Sequence, residues 1–83
     1  MNMIYNSSNY CVVEFRDVDG GGDVGGFEIM DKLGRREIYL GGDLAEQFRS
    51  GVQELIESEP SEEQVDDFLR RFEGLMQHPL VLH

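Results

Sequence analysis

The sequence predicts an α+β fold, a two-layer sandwich in which a four-stranded antiparallel meander packs on a C-terminal helical hairpin. Over roughly the first forty residues, apolar and polar residues alternate with the period of two that β-strands have. After Gly41-Gly42 the apolar residues recur at the spacing of an α-helix, first before and then after Pro60. The chain, residues 1–83, is expected to form a single domain with a modest core.

The first two strands are predicted at about residues 2–6 and 10–16. Both segments are rich in β-branched and aromatic residues, and the polar sequence Asn6-Ser7-Ser8-Asn9 between them is typical of a hairpin turn. Because side chains alternate along a strand, three residues of the second strand share one face: Cys11, Val13 and Phe15.

The third and fourth strands are predicted at about residues 27–32 and 35–40, after a glycine-rich acidic loop at 17–26. The connection Asp31-Lys32-Leu33-Gly34 suits a type I turn whose glycine adopts the left-handed conformation. Alternation then places four apolar residues toward the core: Phe27, Ile29, Ile38 and Leu40.

The first helix is predicted at about residues 43–58. Asp43 and Glu46 have the spacing of a capping box, and Gly51 costs this helix about 1 kcal/mol relative to alanine. Its apolar stripe comprises Leu44, Phe48, Val52, Leu55 and Ile56.

The second helix is predicted at about residues 61–77, from a Ser61–Gln64 capping box to Pro79 just beyond its end. One face is apolar: Val65, Phe68, Leu69, Phe72, Leu75 and Met76. On the other face two exposed ion pairs are expected at i,i+4 spacing, Asp66–Arg70 and Asp67–Arg71.

The formal net charge is −10, from seventeen acids and seven bases. Seven of the acids, and no base, lie between residues 54 and 67. Direct binding to nucleic acid requires the opposite charge, so the composition argues against it. An acidic run of this kind either keeps a small protein soluble or faces a basic partner.

The sequence indicates a cytoplasmic protein without a cofactor. No segment approaches the length of a membrane-spanning helix, and the N-terminus lacks the features of a secretory signal. Cys11 is the only cysteine, and its setting in a strand is typical of a small buried apolar residue. No Ser-His-Asp set or zinc-ligand spacing is present, and we expect the protein not to be an enzyme.

The second face of the predicted sheet offers a candidate interaction surface. Alternation assigns it Tyr5, Tyr10, Val12, Met30 and Tyr39, beside three glutamates. These side chains either stabilise the sheet across strands or contact another copy or another protein. The acidic residues Glu62, Glu63 and Asp66 of the second helix are a further candidate contact.

The loop at residues 17–28 is an alternative site, for calcium or a small ligand. Its candidate metal ligands are Asp17, Asp19, Asp23 and Glu28. Asp17, Asp19 and Glu28 match the first, third and twelfth positions of an EF-hand loop, with Gly22 at the sixth. However, Gly21 replaces the ligand at the fifth position, and a strand precedes the loop where an EF-hand has a helix.

Four strings occur in order along the chain: MNMIYNSSNYCVVEF (1–15), FEIMDKLGRREIYL (27–40), LIESEPSEEQVDDFL (55–69) and HPLVLH (78–83). By these strings the chain resembles a small bacterial family of unknown function, the domain-of-unknown-function family numbered 3567. The resemblance implies a short, stand-alone cytoplasmic protein and transfers no catalytic or ligand residues.

These observations favour a non-catalytic protein-interaction or regulatory module, acting alone or as a homodimer. The contact surface would be the tyrosine-bearing sheet face or the acidic helices. Binding of calcium or a small ligand by the loop at 17–28 is the alternative.

Overall fold

A computed structural model describes residues 2–16, 24–76 and 78–79, and it confirms the predicted α+β fold. The strands of the meander are β1 (Asn2–Asn6), β2 (Tyr10–Arg16), β3 (Val24–Asp31) and β4 (Arg36–Leu40), and each pairs antiparallel with the next. Two helices follow, α1 (Gly42–Glu57) and α2 (Glu62–Arg70), and then a 3₁₀ turn at Glu73–Leu75. A two-residue strand, β5 (His78–Pro79), pairs with β4 and was not predicted.

The side of the sheet that the helices cover differs from the sequence-based prediction for β2. Val12 lies opposite Ile29, and both belong to the core under the helices. Tyr10 and Val12 are each 2% exposed, and Tyr5 packs against the same core. Their predicted placement on the face away from the helices is therefore wrong.

The reason is that β2 is apolar on both faces, so alternation alone does not select the buried one. Pairing with β3 decides the side, because a strand's facing follows from its register. Cys11, which lies opposite Met30, consequently faces away from the helices. Along β1, the register shifts between Met3 and Tyr5, and this bulge places Tyr5 opposite Val12.

Helix α1 begins at Gly42, one residue before the predicted start. Gly42 has a φ of 56°, a left-handed conformation that favours glycine. Gly41 is the N-cap and no side chain caps this end, so the predicted capping box of Asp43 and Glu46 is wrong. The buried stripe is also rotated from the predicted one, since Ala45 and Phe48 are buried whereas Leu44 and Ile56 are exposed.

Helix α2 has the predicted capping box but ends earlier than predicted. The Gln64 amide donates to Ser61 Oγ, and Gln64 Oε1 accepts from the Ser61 amide. After Arg70 the backbone hydrogen bonds have i→i−3 spacing. The Phe72 amide donates to the Leu69 carbonyl, and the Met76 amide donates to the Glu73 carbonyl. The last turns are therefore 3₁₀-like and not α-helical.

The β3–β4 turn is tied by Asp31, whose Oδ1 accepts from the Gly34 amide at 3.0 Å. The left-handed residue of this turn is Arg35, with a φ of 54°, and not Gly34 as predicted. Glycine at position 34 leaves room for the Asp31 carboxylate, which a Cβ there would displace.

Four phenylalanines join the sheet to both helices. The ring of Phe48 lies 4.9 Å from that of Phe27, 5.9 Å from Phe68 and 5.4 Å from Phe72. Pairs at such separations contribute about 0.5–1.5 kcal/mol beyond the area they bury. Neither helix in the described part of the chain combines the length and hydropathy needed to cross a membrane.

Gly51 of α1 lies against the Phe68 ring of α2. A Cβ built on Gly51 would lie 2.9 Å from Cζ of Phe68, which is closer than real Cβ contacts come. The Phe68 ring also packs on Phe48 and Phe72, so a side chain at position 51 would displace it within this cluster. The glycine that weakens α1 locally thus permits the helix pair to close.

We expect Gly51→Ala to lower the free energy of unfolding by about 1–2 kcal/mol, because overpacking outweighs the gain in helix propensity. Gly74→Ala is the matched control, since no atom lies within 4 Å of a Cβ at that position. It should leave stability unchanged or slightly raised. Urea unfolding followed by circular dichroism measures both, and a stabilised Gly51→Ala protein would contradict the packing argument.

Candidate functional site

A buried carboxylate lies where α2 meets the β1–β2 turn. Asp66 accepts hydrogen bonds at Oδ1 from the hydroxyls of Tyr5 and Ser7, each at 2.9 Å, and at Oδ2 from Asn9 Nδ2 at 2.8 Å. Asp66 and Ser7 are buried. The predicted exposed ion pair between Asp66 and Arg70 is therefore wrong, because Asp66 faces inward along α2.

Arg70 instead forms its ion pair with Asp67, one turn away at i,i+3 spacing. Both side chains of this pair are exposed, so it contributes little to stability. Asp67 and Asp66 are thus adjacent carboxylates in opposite environments.

Hydrogen bonding determines the charge state of Asp66. Burial alone would raise the pKa of this carboxyl, but the donors Asn9, Tyr5 and Ser7, together with the charge of Arg70, outweigh burial and lower the pKa. Tyr5 is affected in the opposite sense, since burial and the bond to Asp66 raise the pKa of its hydroxyl to about 12. Asp66 is therefore a structural anion at neutral pH.

The β1–β2 turn is arranged to hold this anion. Ser7 Oγ donates to Asp66 and accepts from the amides of Asn9 and Tyr10, at 3.1 and 3.0 Å. The Ser7 amide donates to the Tyr10 carbonyl at 2.8 Å, and Lys32 Nζ donates to the Ser7 carbonyl at 2.6 Å. Contacts within the turn and with Lys32 thus orient the Ser7 hydroxyl that donates to Asp66.

A polar recess of about 190 Å³ adjoins the Asp66 cluster. It lies between the β1–β2 turn, the β3–β4 turn and the end of α2. Its lining includes Tyr10, Asp31 and Glu73. The Tyr10 hydroxyl donates to Glu73. Burial, and to a lesser extent this bond, raises the pKa of Tyr10. Asp31 is paired with Arg36 at 3.3 Å. Sequence reasoning missed this recess because its residues come from three separate segments.

Among the described residues, each shifted pKa lies farther from pH 7 than the ordinary value of its group. The pKa of Asp66 is lowered, whereas those of Tyr5, Tyr10, Cys11 and Arg70 are raised. The hydrogen bonds of Asp66 and Tyr10 join α2 and the segment after it to the sheet.

The face of the sheet away from the helices is rich in apolar side chains. Cross-strand partners place Met3, Val13, Glu28 and Tyr39 in one row, and Cys11, Met30 and Glu37 in the next. The Tyr39 hydroxyl donates to the Gly25 carbonyl at 2.7 Å, and its ring lies 6.0 Å from that of Phe15. Met30 and Tyr39 lie on this face as predicted. We call this surface, which neither helix covers, the uncovered face; on it Cys11 and Val13 are buried, whereas Met3 and Tyr39 are exposed.

An apolar groove of about 160 Å³ lies between β1 and the two helices. Ile4 and Tyr5 line it from the strand, Val52 and Ile56 from α1, and Val65 from α2. In a regular strand Ile4 and Tyr5 would point to opposite faces, and the β1 bulge brings both to the groove. Sequence reasoning missed the groove because periodicity does not reveal a bulge.

The remaining predicted site residues lie in different places. Glu62 and Glu63 are exposed in the first turn of α2. Glu28 lies in the middle of β3, between Val13 and Tyr39. The other candidate calcium ligands, Asp17, Asp19 and Asp23, lie outside the described residues. Calcium binding stays a prediction, and residues 2–16, 24–76 and 78–79 contain no group of three or more metal-ligating side chains.

Comparison with known proteins identifies a family without assigning an activity. Residues 1–83 match the family described as "Protein of unknown function (DUF3567)". The chain is 54% identical to Protein BTH_I0359 of Burkholderia thailandensis over 85 aligned positions, which cover all of both chains. No solved structure matches the chain.

Replacing Asp66 by asparagine should lower the free energy of unfolding at pH 7 by about 2–4 kcal/mol, because buried donors lose a charged acceptor. Asp67→Asn is the matched control and should change stability little. Because the folded pKa of Asp66 is depressed, its contribution is complete above the unfolded pKa of about 4 and is lost as the pH falls through the folded value.

Urea unfolding between pH 7 and pH 2 measures this difference. The gap between wild type and Asp66→Asn should be constant above about pH 5 and should narrow in acid. A gap that does not depend on pH would contradict an ionised structural role.

The thiol of Cys11 should react slowly in the folded protein. Burial raises the pKa of this thiol, and the thiolate is the reactive form. We expect a disulfide reagent at pH 8 to modify it about a hundredfold more slowly than in unfolding concentrations of urea. Equal rates in the two states would contradict the burial of Cys11.

Proposed function

The chain belongs to the DUF3567 family, and we propose that it is a non-catalytic protein-interaction module that pairs with a second copy of itself through the uncovered face. One observation carries this proposal: Met3 and Tyr39 on that face are 58% and 55% exposed. Met3 lies opposite Val13 of β2, and Tyr39 lies opposite Glu28 of β3 in the same cross-strand row. Exposed apolar surface of this kind is characteristic of contact sites.

The distribution of charge supports a second copy as the occupant. The helices carry most of the described acidic side chains, and they lie on the opposite side of the sheet. Two copies that pack face to face would keep those helices on the outside, where water and salt screen their repulsion. Sheets pack face to face at about 10 Å, a separation that Met3, Met30 and Tyr39 can fill.

The roles of the polar groups support the absence of catalysis. Asp66, Tyr5 and Ser7 hold α2 to the first hairpin, and Tyr10 with Glu73 holds the segment that follows α2. Side chains that maintain the fold in this way are poorly placed to exchange protons with a substrate.

The substitution Met3→Lys tests the proposed contact, because pairing the faces would bury an unpaired charge. We expect wild type to sediment as a dimer and Met3→Lys to sediment as a monomer at the same concentration. Leu33→Lys is the matched control, since Leu33 is 79% exposed in the β3–β4 turn. It should leave the dimer intact.

Sedimentation equilibrium over a range of protein concentrations makes the measurement. A wild-type protein that is monomeric throughout, or equal dissociation constants for the Met3 and Leu33 variants, would contradict pairing through the uncovered face. Thermal unfolding of each variant verifies that the fold is retained.

A further inference from the structure

Strand β1 forms one edge of the sheet, and the apolar groove runs beside it. Among the described residues β1 pairs only with β2, so the backbone groups on its other side are available to another strand. Residues 2–6 contain no charged side chain and no proline, so the bulge between Met3 and Tyr5 is the one edge-protecting feature in β1. Ile4 and Ile56, on opposite walls of the groove, are 40% and 63% exposed, so the groove opens to solvent.

We propose that the groove and the β1 edge together bind an extended segment of a partner protein, one with an apolar anchor and adjacent basic residues. The segment lies along β1, and one apolar side chain enters the groove between Ile4 and Val65. This is recognition by strand addition, in which the backbone supplies affinity and a side-chain pocket supplies specificity.

The size of the groove determines the kind of anchor. Ligand pockets for small molecules usually measure about 300–1,000 Å³, whereas a cavity of about 150 Å³ accommodates a benzene-sized group. At about 160 Å³, the groove matches a single leucine or phenylalanine side chain. Its wall is apolar, and the Tyr5 hydroxyl at its margin is already bonded to Asp66.

The charges around the groove determine the flanks of the segment. The Tyr5 hydroxyl lies 3.2 Å from the carbonyl oxygen of Glu62, which places β1 against the acidic first turn of α2. At the other helix, the amide of exposed Glu59 bonds to the carbonyl of Ile56. Lysine or arginine next to the anchor would meet these carboxylates.

The same charges argue against a second copy of this chain at this edge. Two β1 edges that paired across a two-fold axis would bring two acidic α2 N-termini toward each other. Beside Phe68, another lining residue, lies a base: the Arg71 guanidinium is 5.7 Å from the centre of that ring. We therefore place the basic residues of the partner at the Glu62 end.

This binding site is separate from the surface proposed for self-association. Met3 faces the uncovered face, whereas Ile4 and Tyr5 line the groove. Neither proposal requires the other, and different substitutions test them.

The test uses the full chain and a phage-displayed library of random twelve-residue peptides. Ile56→Asp introduces a charge at the mouth of the groove, and Leu44→Asp is the matched control on the same helix, exposed and not among the lining residues. Peptides that bind wild type should contain an isolated leucine or phenylalanine beside lysine or arginine. Synthetic copies should bind Ile56→Asp about tenfold more weakly and Leu44→Asp within about twofold of wild type.

Backbone amide shifts on adding the strongest synthetic peptide locate the site. Shifts at Ile4, Tyr5 and Val65, with weaker binding as salt increases, are the expected result. Four results would overturn the proposal: no selected peptide that distinguishes the two variants, a consensus without basic residues, shifts confined to the uncovered face, or loss of self-association in Ile56→Asp alone. Unchanged thermal unfolding of both variants excludes misfolding as the cause.

Discussion

The buried Asp66 carboxylate is the interaction on which the arrangement of this protein depends. It lies on α2, yet its three donors come from the first hairpin, about sixty positions earlier in the chain. Removing a charge from water is expensive unless hydrogen bonds compensate for it. Tyr5, Ser7 and Asn9 provide that compensation in one orientation of the helix, so the contact specifies direction as well as adding stability. Its position at the turn also fixes which end of the sheet α2 approaches.

This constraint explains why the two faces of the sheet differ. Tyr5 and Tyr10 extend their rings into the core and their hydroxyls to Asp66 and Glu73, so a tyrosine can be buried without losing its polar partner. The helices consequently cover the side of β2 that carries Tyr10 and Val12. Cys11 and Val13 are left on the opposite side with Met30 and Tyr39. The proposed self-association and the proposed strand addition both use surfaces that this choice leaves exposed.

Local sequence signals predicted the parts of the fold that depend on neighbouring residues. The bounds of β1 and β2 and the Ser61–Gln64 capping box are as predicted, because turn chemistry and capping act within a few residues. The prediction failed where contacts between residues far apart in the sequence determine the structure. Asp66 has the spacing of a surface ion pair with Arg70, but its buried partners lie far away in the sequence. The end of α2 was placed beyond Arg70 because the apolar spacing continues through the 3₁₀ turn.

By itself, the sequence determined the α+β class, the order of the elements and the acidic character of the helices, since periodicity and composition are properties of the chain. The tertiary structure decided which side of β2 is buried, that Asp66 is an internal anion, and that a bulge at Ile4 opens a groove beside the β1 edge. Each of these follows from strand register or from contacts between distant segments. A strand that is apolar on both faces carries no local signal of its orientation, so only pairing and packing can assign it.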